Sequence, residues 1–253
     1  MSAFDIKGRT AIVTGGASGI GLALVRNLVG RGAARVVVAG RDPAKLDAVR
    51  WEFGPVITTI AADLAATGDV FRLADELAGL APDASLLINN AGSQLLTDFT
   101  AGVPPHHVGA LAGEIAVNLT APIQLCAALL PRLAKQPSAA IVNVTSGLAL
   151  APKRSAPTYC ATKAGLRSFS RALRYQCEEA MPHVRVIEAL PPIVDTQMTA
   201  GRGRGKISAQ SCADQIIAGL IRGLPEIYVG KSALLKWIIR ASPALAYRIM
   251  RQG

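Results

Sequence analysis

Cysteine is scarce in this chain and follows no pattern: Cys126, Cys160, Cys177 and Cys212 are the four in 253 residues, and no two stand at Cys-x-x-Cys or metal-ligand spacing. A disulfide framework, a redox motif and a zinc site are excluded on that count, no metal is expected, and the four read as reduced core or surface thiols. The amino terminus, Met-Ser-Ala-Phe-Asp-Ile-Lys, lacks the basic start and apolar core of a secretory signal. No apolar run approaches the roughly eighteen residues a membrane span needs, so a cytoplasmic location is the expectation. There is no Pro/Gly-rich linker, low-complexity tract or 20-to-50-residue repeat, and 51% hydrophobic with 17% charged residues describes a globular chain. A single domain over 1–253 follows.

Acid is also in short supply, with 17 Asp and Glu against 27 Lys and Arg, and the shortage is local. Residues 1–150 carry 11 basic and 11 acidic groups, whereas 151–253 carry 16 and 6. Part of the excess lies in 231–253, where Leu234, Leu235, Ile238 and Ile239 read as one helical face with Lys236 and Arg240 on another. Such a segment packs on its own or a neighbouring subunit, which is the favoured expectation, or makes peripheral contact with an anionic membrane. The run Arg202-Gly203-Arg204-Gly205-Lys206 is short and has no interleaved aromatics, so nucleic acid is not expected as a partner.

What is present is a regular alternation of strands and helices. β-Branched runs at 10–14, 35–39, 56–60, 85–88, 140–145, 184–189 and 226–229 read as seven strands. Helical patterns at 43–53, 70–79, 109–134, 156–180 and 209–223, and one from Leu22, lie between them. Alternation of this kind predicts a doubly wound α/β fold, with a parallel sheet and helices on both faces.

Chemistry-bearing residues fall at the strand ends. After the first strand comes Thr14-Gly15-Gly16-Ala17-Ser18-Gly19-Ile20-Gly21 and then a helix: glycines that let the backbone approach a pyrophosphate, and a helix amino terminus that points free N–H groups at it. The second strand ends at Gly40-Arg41-Asp42, where a dinucleotide fold distinguishes a free ribose from a phosphorylated one. Asp63 either caps a following helix or meets an adenine, and the fourth strand ends in Asn89-Asn90-Ala91-Gly92. Asn118 is an amide in an apolar helical context and needs partners. The fifth strand presents Ser146 at its carboxyl end, and thirteen residues on Tyr159 and Lys163 stand at i and i+4 on one helical face. A cation there is expected to lower the phenol's pKa from about 10 and make it a usable acid/base. Tyr-x-x-x-Lys is weak alone; the strand-end serine strengthens it.

Taken together, Thr14-Gly15-x-x-x-Gly19-x-Gly21, Asp63, Asn89-Asn90-Ala91-Gly92, Asn118, Ser146, Tyr159-x-x-x-Lys163 and the proline-led turn after the sixth strand resemble the short-chain dehydrogenase/reductase family. The likeness runs from Arg9 to about Val229. Pro191-Pro192-Ile193-Val194-Asp195-Thr196, with the segments around Ser146 and Tyr159, looks like the subgroup associated with D-alanylation of teichoic acids. Most of the family has Pro-Gly where this chain has Pro191-Pro192.

The resemblance implies a Rossmann-like, three-layer fold with seven parallel strands in the order 3-2-1-4-5-6-7. It also implies hydride transfer between a nicotinamide and a carbonyl or alcohol carbon. Tyr159 is then the acid/base and Ser146 its partner on the substrate oxygen; Lys163 holds the nicotinamide ribose, and Asn118 holds a water linking Lys163 to solvent. Cofactor contacts are expected at Gly15, Ser18, Gly19, Ile20, Gly21, Arg41, Asp63, Leu64, Asn90, Ala91, Gly92, Tyr159, Lys163, Pro191, Ile193 and Thr196. Gly40 in place of an acid, followed by Arg41, predicts NADP(H) over NAD(H), with NAD(H) possible. Family habit and the apolar helices at 109–134 and 156–180 predict a homodimer or homotetramer. The competing expectation is a catalytically idle NADP-binding scaffold or sensor. The pocket segments 94–100, 148–155 and 198–205 suggest an apolar wall and specify no substrate.

Overall fold

In β1 (Thr10–Thr14) and β2 (Arg35–Gly40) successive side chains point to opposite faces of the sheet, as the period of a strand requires. Ala11, Val13, Val36 and Val38 enter one core; Ile12, Val37 and Ala39 enter the other. Both faces are therefore apolar, which is why these strands lie in the middle of a parallel sheet covered by helices. The structure, a computed structural model, describes residues 4–251. Its main sheet adds β3 (Ile57–Ala61), β4 (Ala84–Asn89), β5 (Ala139–Val144), β6 (Val184–Leu190) and, farther on, β9 (Glu226–Tyr228). The order is β3-β2-β1-β4-β5-β6-β9, all pairs parallel, with β9 as the seventh strand that the sequence places last.

One face is covered by α1 (Gly19–Gly30), α2 (Pro43–Phe53) and α7 (Ala209–Ile221), the other by α3 (Thr67–Leu80), α5 (Ala121–Leu133) and α6 (Pro157–Ala180). Strand order reverses direction between β1 and β4. A crevice opens there at the carboxyl ends, where Thr14, Asn89 and, one strand over, Val144 terminate.

Some boundaries differ from the expectation. Gly54–Val56 forms a short 3₁₀ turn ahead of β3, so Val56 is not in the strand; Pro55 has no N–H to give to a ladder. A two-residue strand pair, β7 (Val194–Asp195) and β8 (Ile207–Ser208), closes the base of the loop between them and has no counterpart in the sequence reading. The expected helix at 109–134 begins earlier, at Pro105, as α4 (Pro105–Ile115). It then passes through a five-residue π turn, Ala116–Thr120, into α5. Together these make a 29-residue helix, Pro105–Leu133, which by length and composition alone could cross a membrane. No single apolar run announces it, because glycine, Glu114 and Asn118 interrupt the pattern. Here its Leu125, Leu129 and Leu133 are core residues packed with Leu73, Leu77 and Leu87.

The carboxyl-terminal segment forms α8 (Lys231–Ala241) and α9 (Pro243–Met250). Leu235 and Ala246 bury themselves against Ala151, with Leu150, Ile238, Ile239 and Met250 around them. Leu234 does not share that face and is 62% exposed, since a step of about 100° per residue carries it off the arc of 235, 238 and 239. The last two residues of the 231–253 segment lie outside the described residues. All four cysteines are buried and free, and burial pushes the Cys126 and Cys212 thiols up to about 12.

Candidate active site

The glycine turn after β1 is built for close approach. Gly15 has φ +63°, and a Cβ there would stand 2.9 Å from the Ala91 Cα; at Gly21 it would stand 2.0 Å from the Gly15 carbonyl oxygen. Side chains at either place would close the turn. Ser18 occupies the N-cap of α1 but makes no side-chain capping bond, so the first N–H groups of the helix lack that usual partner. Thr196, across the turn, has its Cγ2 3.1 Å from where a Gly19 Cβ would be. The cradle fits a pyrophosphate on these grounds: bare backbone, an uncapped helix start and its positive dipole end.

Thr14, which the sequence shows only as the residue that opens the glycine motif, ties this turn to β4. Its hydroxyl accepts the N–H groups of Asn90 and Ala91, each at 3.1 Å, and the Asn90 Nδ2 donates to the carbonyls of Thr14 at 3.1 Å and Gly15 at 3.3 Å. A hydroxyl at the last position of a strand before a glycine turn was the available signal.

Arg41 is exposed and forms no ion pair among the described residues. Its neighbour Asp42 is occupied: it caps α2 by accepting the Lys45 N–H at 3.3 Å and lies 3.6 Å from the Lys45 ammonium. Asp63 does not cap the following helix, whose N-cap is Ala66; it accepts the Ala65 N–H at 3.0 Å, while its own N–H donates to Asp69 at the start of α3. The Leu64 side chain is core. Pro191 accepts the Gly147 N–H at 2.9 Å, and Ile193 accepts the Ile207 N–H at 3.3 Å, so the proline-led turn is braced from both directions.

Ser146 sits just beyond β5 and accepts the Leu148 N–H at 3.1 Å. Its neighbour Thr145 donates to the buried Glu188 of β6 at 2.7 Å, and Glu188 is paired with Arg167 of α6, which also reaches Glu226 at 3.3 Å. That network fixes the end of β5 against the helix carrying Tyr159 and Lys163. This brings the Ser146 hydroxyl near enough to the Tyr159 phenol to favour its ionised form.

The electrostatics differ from the expectation. Burial pushes the Tyr159 phenol up to about 12, with Cys160 and Glu114 adding to the rise and the nearby Ser146 hydroxyl and Arg202 opposing it. The Lys163 ammonium lies 5.8 Å from the ring centroid and donates to the Val144 carbonyl at 2.8 Å. It is 3% exposed, and burial lowers its own pKa to about 8. Two ionisable groups desolvated together each favour the neutral form, and this outweighs the lowering expected from their adjacency.

Asn118 is fully buried in the π turn. Its Oδ1 accepts the Ser93 N–H at 2.9 Å, and its Nδ2 donates to the Ser93 carbonyl at 2.8 Å and to Thr162 Oγ1 at 3.3 Å. The amide thus clamps the segment after Gly92, and a Cβ at Gly92 would stand 3.2 Å from Asn118 Oδ1 and 3.7 Å from Lys163 Nζ. One turn earlier, Glu114 is 2% exposed and accepts the Leu95 N–H at 2.9 Å. The sequence reading passed over it; an acid inside the apolar stretch leading to Asn118 was the signal. The pocket segments meet where Thr97 donates to the Ser155 carbonyl, and Leu96, Phe99 and Met198 expose apolar surface beside them. Among the described residues no His, Cys, Asp and Glu cluster suits a metal ion.

The family model for short chain dehydrogenase matches residues 9–206. An uncharacterized oxidoreductase of Bacillus subtilis, DltE, is 39% identical over 225 residues, covering 86% of each chain. Among solved structures, a short chain dehydrogenase from Burkholderia cenocepacia in complex with NADP superposes with a TM-score of 0.86 at 29% identity, covering 99% of this chain and 100% of that one. A short-chain dehydrogenase from Sphingobium yanoikuyae in complex with NADPH gives 0.79 at 27% identity, covering 94% of both. With the family model matching residues 9–206 and a relative 39% identical over 86% of each chain, this chain belongs to the short-chain dehydrogenase family of oxidoreductases.

Proposed function

We propose that this chain is an NADP(H)-preferring oxidoreductase that interconverts a carbonyl and an alcohol, with Tyr159 as the acid/base. The observation that carries this reading is the buried Lys163 ammonium, held on the Val144 carbonyl 5.8 Å from the Tyr159 ring at the carboxyl end of the sheet, with Ser146 just beyond the same strand. The nicotinamide supplies or accepts the hydride when bound. Gly15, Ser18, Gly19, Ile20 and Gly21 would hold the pyrophosphate with Thr196 opposite. Asn90, Ala91, Gly92, Pro191 and Ile193 would flank the nicotinamide end, and Asp63 with the Leu64 backbone the adenine.

In this reading Ser146 hydrogen-bonds the substrate oxygen and Tyr159 gives it a proton. A phenol held near 12 stays protonated at neutral pH, which suits donation and hence reduction. Lys163, anchored on Val144, holds the nicotinamide ribose and its ammonium stabilises the phenolate left behind. The Asn118 side chain is committed to Ser93 and Thr162, so its support reaches Lys163 by fixing the backbone at Gly92 and Ser93. A scaffold without turnover would have no use for a buried ammonium that weakens the fold.

NADP(H) preference is supported by Arg41, exposed and without an ion pair among the described residues, by Asp42, tied into the α2 cap, and by the NADP and NADPH complexes of the two solved relatives. NAD(H) remains a usable second cofactor in this reading. A cytoplasmic homodimer or homotetramer built as one domain is proposed as well. It is supported by apolar side chains left exposed on α4 and α6, Val108, Ile115 and Tyr175.

The test is a panel of aldehydes, ketones and alcohols with NADPH and NADH, run on wild type and Tyr159→Phe. The expected outcome is turnover with at least one panel class, falling about 100-fold or more in the variant. A variant that keeps more than a few per cent of the rate rejects the acid/base assignment; cofactor binding without turnover of any substrate supports the scaffold.

A further inference from the structure

Glu114 is a charged side chain in surroundings that offer it almost nothing. It lies on the last turn of α4, four residues before Asn118, with 2% of its surface exposed. Oε1 accepts the Leu95 N–H, while Oε2 is buried with no hydrogen-bond partner among the described residues. Leaving a buried polar atom unsatisfied costs about 1–3 kcal/mol, more when it is charged. Holding Leu95 alone does not account for that cost, because a helix can face a loop with an apolar side chain.

Lys163 presents the complementary problem. It is buried, gives one hydrogen bond to the Val144 carbonyl, and has no ion-pair partner among the described residues. The two residues converge on the same short segment. Asn118 and Lys163 flank Gly92, Asn118 grips Ser93 on both its N–H and its carbonyl, and Glu114 grips Leu95. A π turn separates Glu114 from the α5 helix, a rare geometry that occurs mostly at functional sites.

We propose that Glu114 is a positioning residue for Lys163: its carboxylate supplies the buried negative charge that keeps the Lys163 ammonium protonated beside Tyr159, while its other oxygen holds the loop at Leu95. This rests on the reading of Lys163 and Tyr159 given above. Glu114 is the charged group that acts on Lys163, raising its proton affinity against burial; Tyr159 feels Glu114, Cys160 and Arg202. Burial raises the Glu114 carboxyl in turn, opposed by the Leu95 N–H and by Lys163. The sign is therefore fixed. Removing the Glu114 charge lowers the pH at which Lys163 loses its proton, and lowers that of Tyr159 through their direct interaction, so the alkaline limb of carbonyl reduction moves to lower pH.

The experiment uses Glu114→Gln, which keeps a carbonyl oxygen for the Leu95 N–H but no charge, and Glu114→Asp, which keeps the charge. Lysine side chains labelled with ¹³C are titrated by NMR in the cofactor-free protein, with the Lys163 signal identified by its loss in Lys163→Met. In Glu114→Gln the Lys163 midpoint is expected to fall by about 1 pH unit, the low end for one nearby opposite charge, and the alkaline limb of kcat/KM to fall with it. Glu114→Asp should recover at least half of the shift. An unchanged Lys163 midpoint, or a loss of kcat that is uniform across pH, overturns the proposal. Should neither variant fold, ¹³C-glutamate titration of the wild type decides: a Glu114 carboxyl that is neutral at pH 7 overturns it, and an ionised one sustains it. A shifted midpoint in a protein that turns over no substrate would overturn the proposed function and leave the Glu114–Lys163 coupling standing.

Discussion

Replacing Lys163 with methionine should make the protein more stable and less active. The side chain is 3% exposed, and its pKa falls from the ordinary 10.5 to about 8 because burial disfavours the ammonium. At about 1.4 kcal/mol per pH unit, holding the proton at neutral pH costs the fold about 3 kcal/mol. Methionine matches the length and apolar stem of lysine and removes that cost, but it leaves the Val144 carbonyl without its donor, a loss of about 1 kcal/mol. The net gain is about 2 kcal/mol. For a chain of this size that is a rise in Tm of about 4–8 °C at pH 7, measured without cofactor so that ligand binding does not intrude. The pH dependence carries the sign. Wild type binds more protons unfolded than folded between about 8 and 10.5, so its stability recovers as pH rises through that window and the advantage of Lys163→Met shrinks. Thermal unfolding at pH 7 and pH 10 checks both statements. A lower Tm for the variant at pH 7, or a difference that does not change with pH, would refute the reasoning. The same variant should bind NADPH more weakly and lose turnover.

Arg41→Ala should lower kcat/KM with NADPH by about 10–100-fold, the loss of one charge-assisted contact, and leave NADH nearly unaffected. A wild-type preference for NADH would sink this reading. Light scattering at micromolar concentration should return a multiple of 26.3 kDa, and a monomer mass would reject the proposed assembly. Deleting 232–253 removes Leu235, Ile238, Ile239 and Ala246 from Ala151, so a Tm lower by several degrees is expected. Equal stability and assembly, with loss of sedimentation on anionic vesicles, would instead assign the segment to a membrane surface.

By itself the sequence determined whatever depends on local pattern. Seven β-branched runs alternating with amphipathic helices fix a parallel, doubly wound sheet, because each side-chain period admits one kind of element and each helix can return the chain to only one edge. Gly15 and Gly21 announce a turn with room for bare backbone alone, which the folded chain bears out, and Ser146, Tyr159 and Lys163 are readable as a unit from their spacing. Tertiary structure decided whatever depends on surroundings. Tyr159 is raised rather than lowered, because desolvation comes from everything packed around the ring and outweighs a lysine seen as one turn away. Asn118 spends its amide on Ser93 and Thr162, from segments 25 and 44 residues distant, and Glu114 becomes part of the site only when α4 and α6 bring it and Lys163 to the same loop. Spacing along a chain encodes which residues share a face. Burial and long-range partners are properties of the folded whole, and they set the charge states on which the chemistry turns.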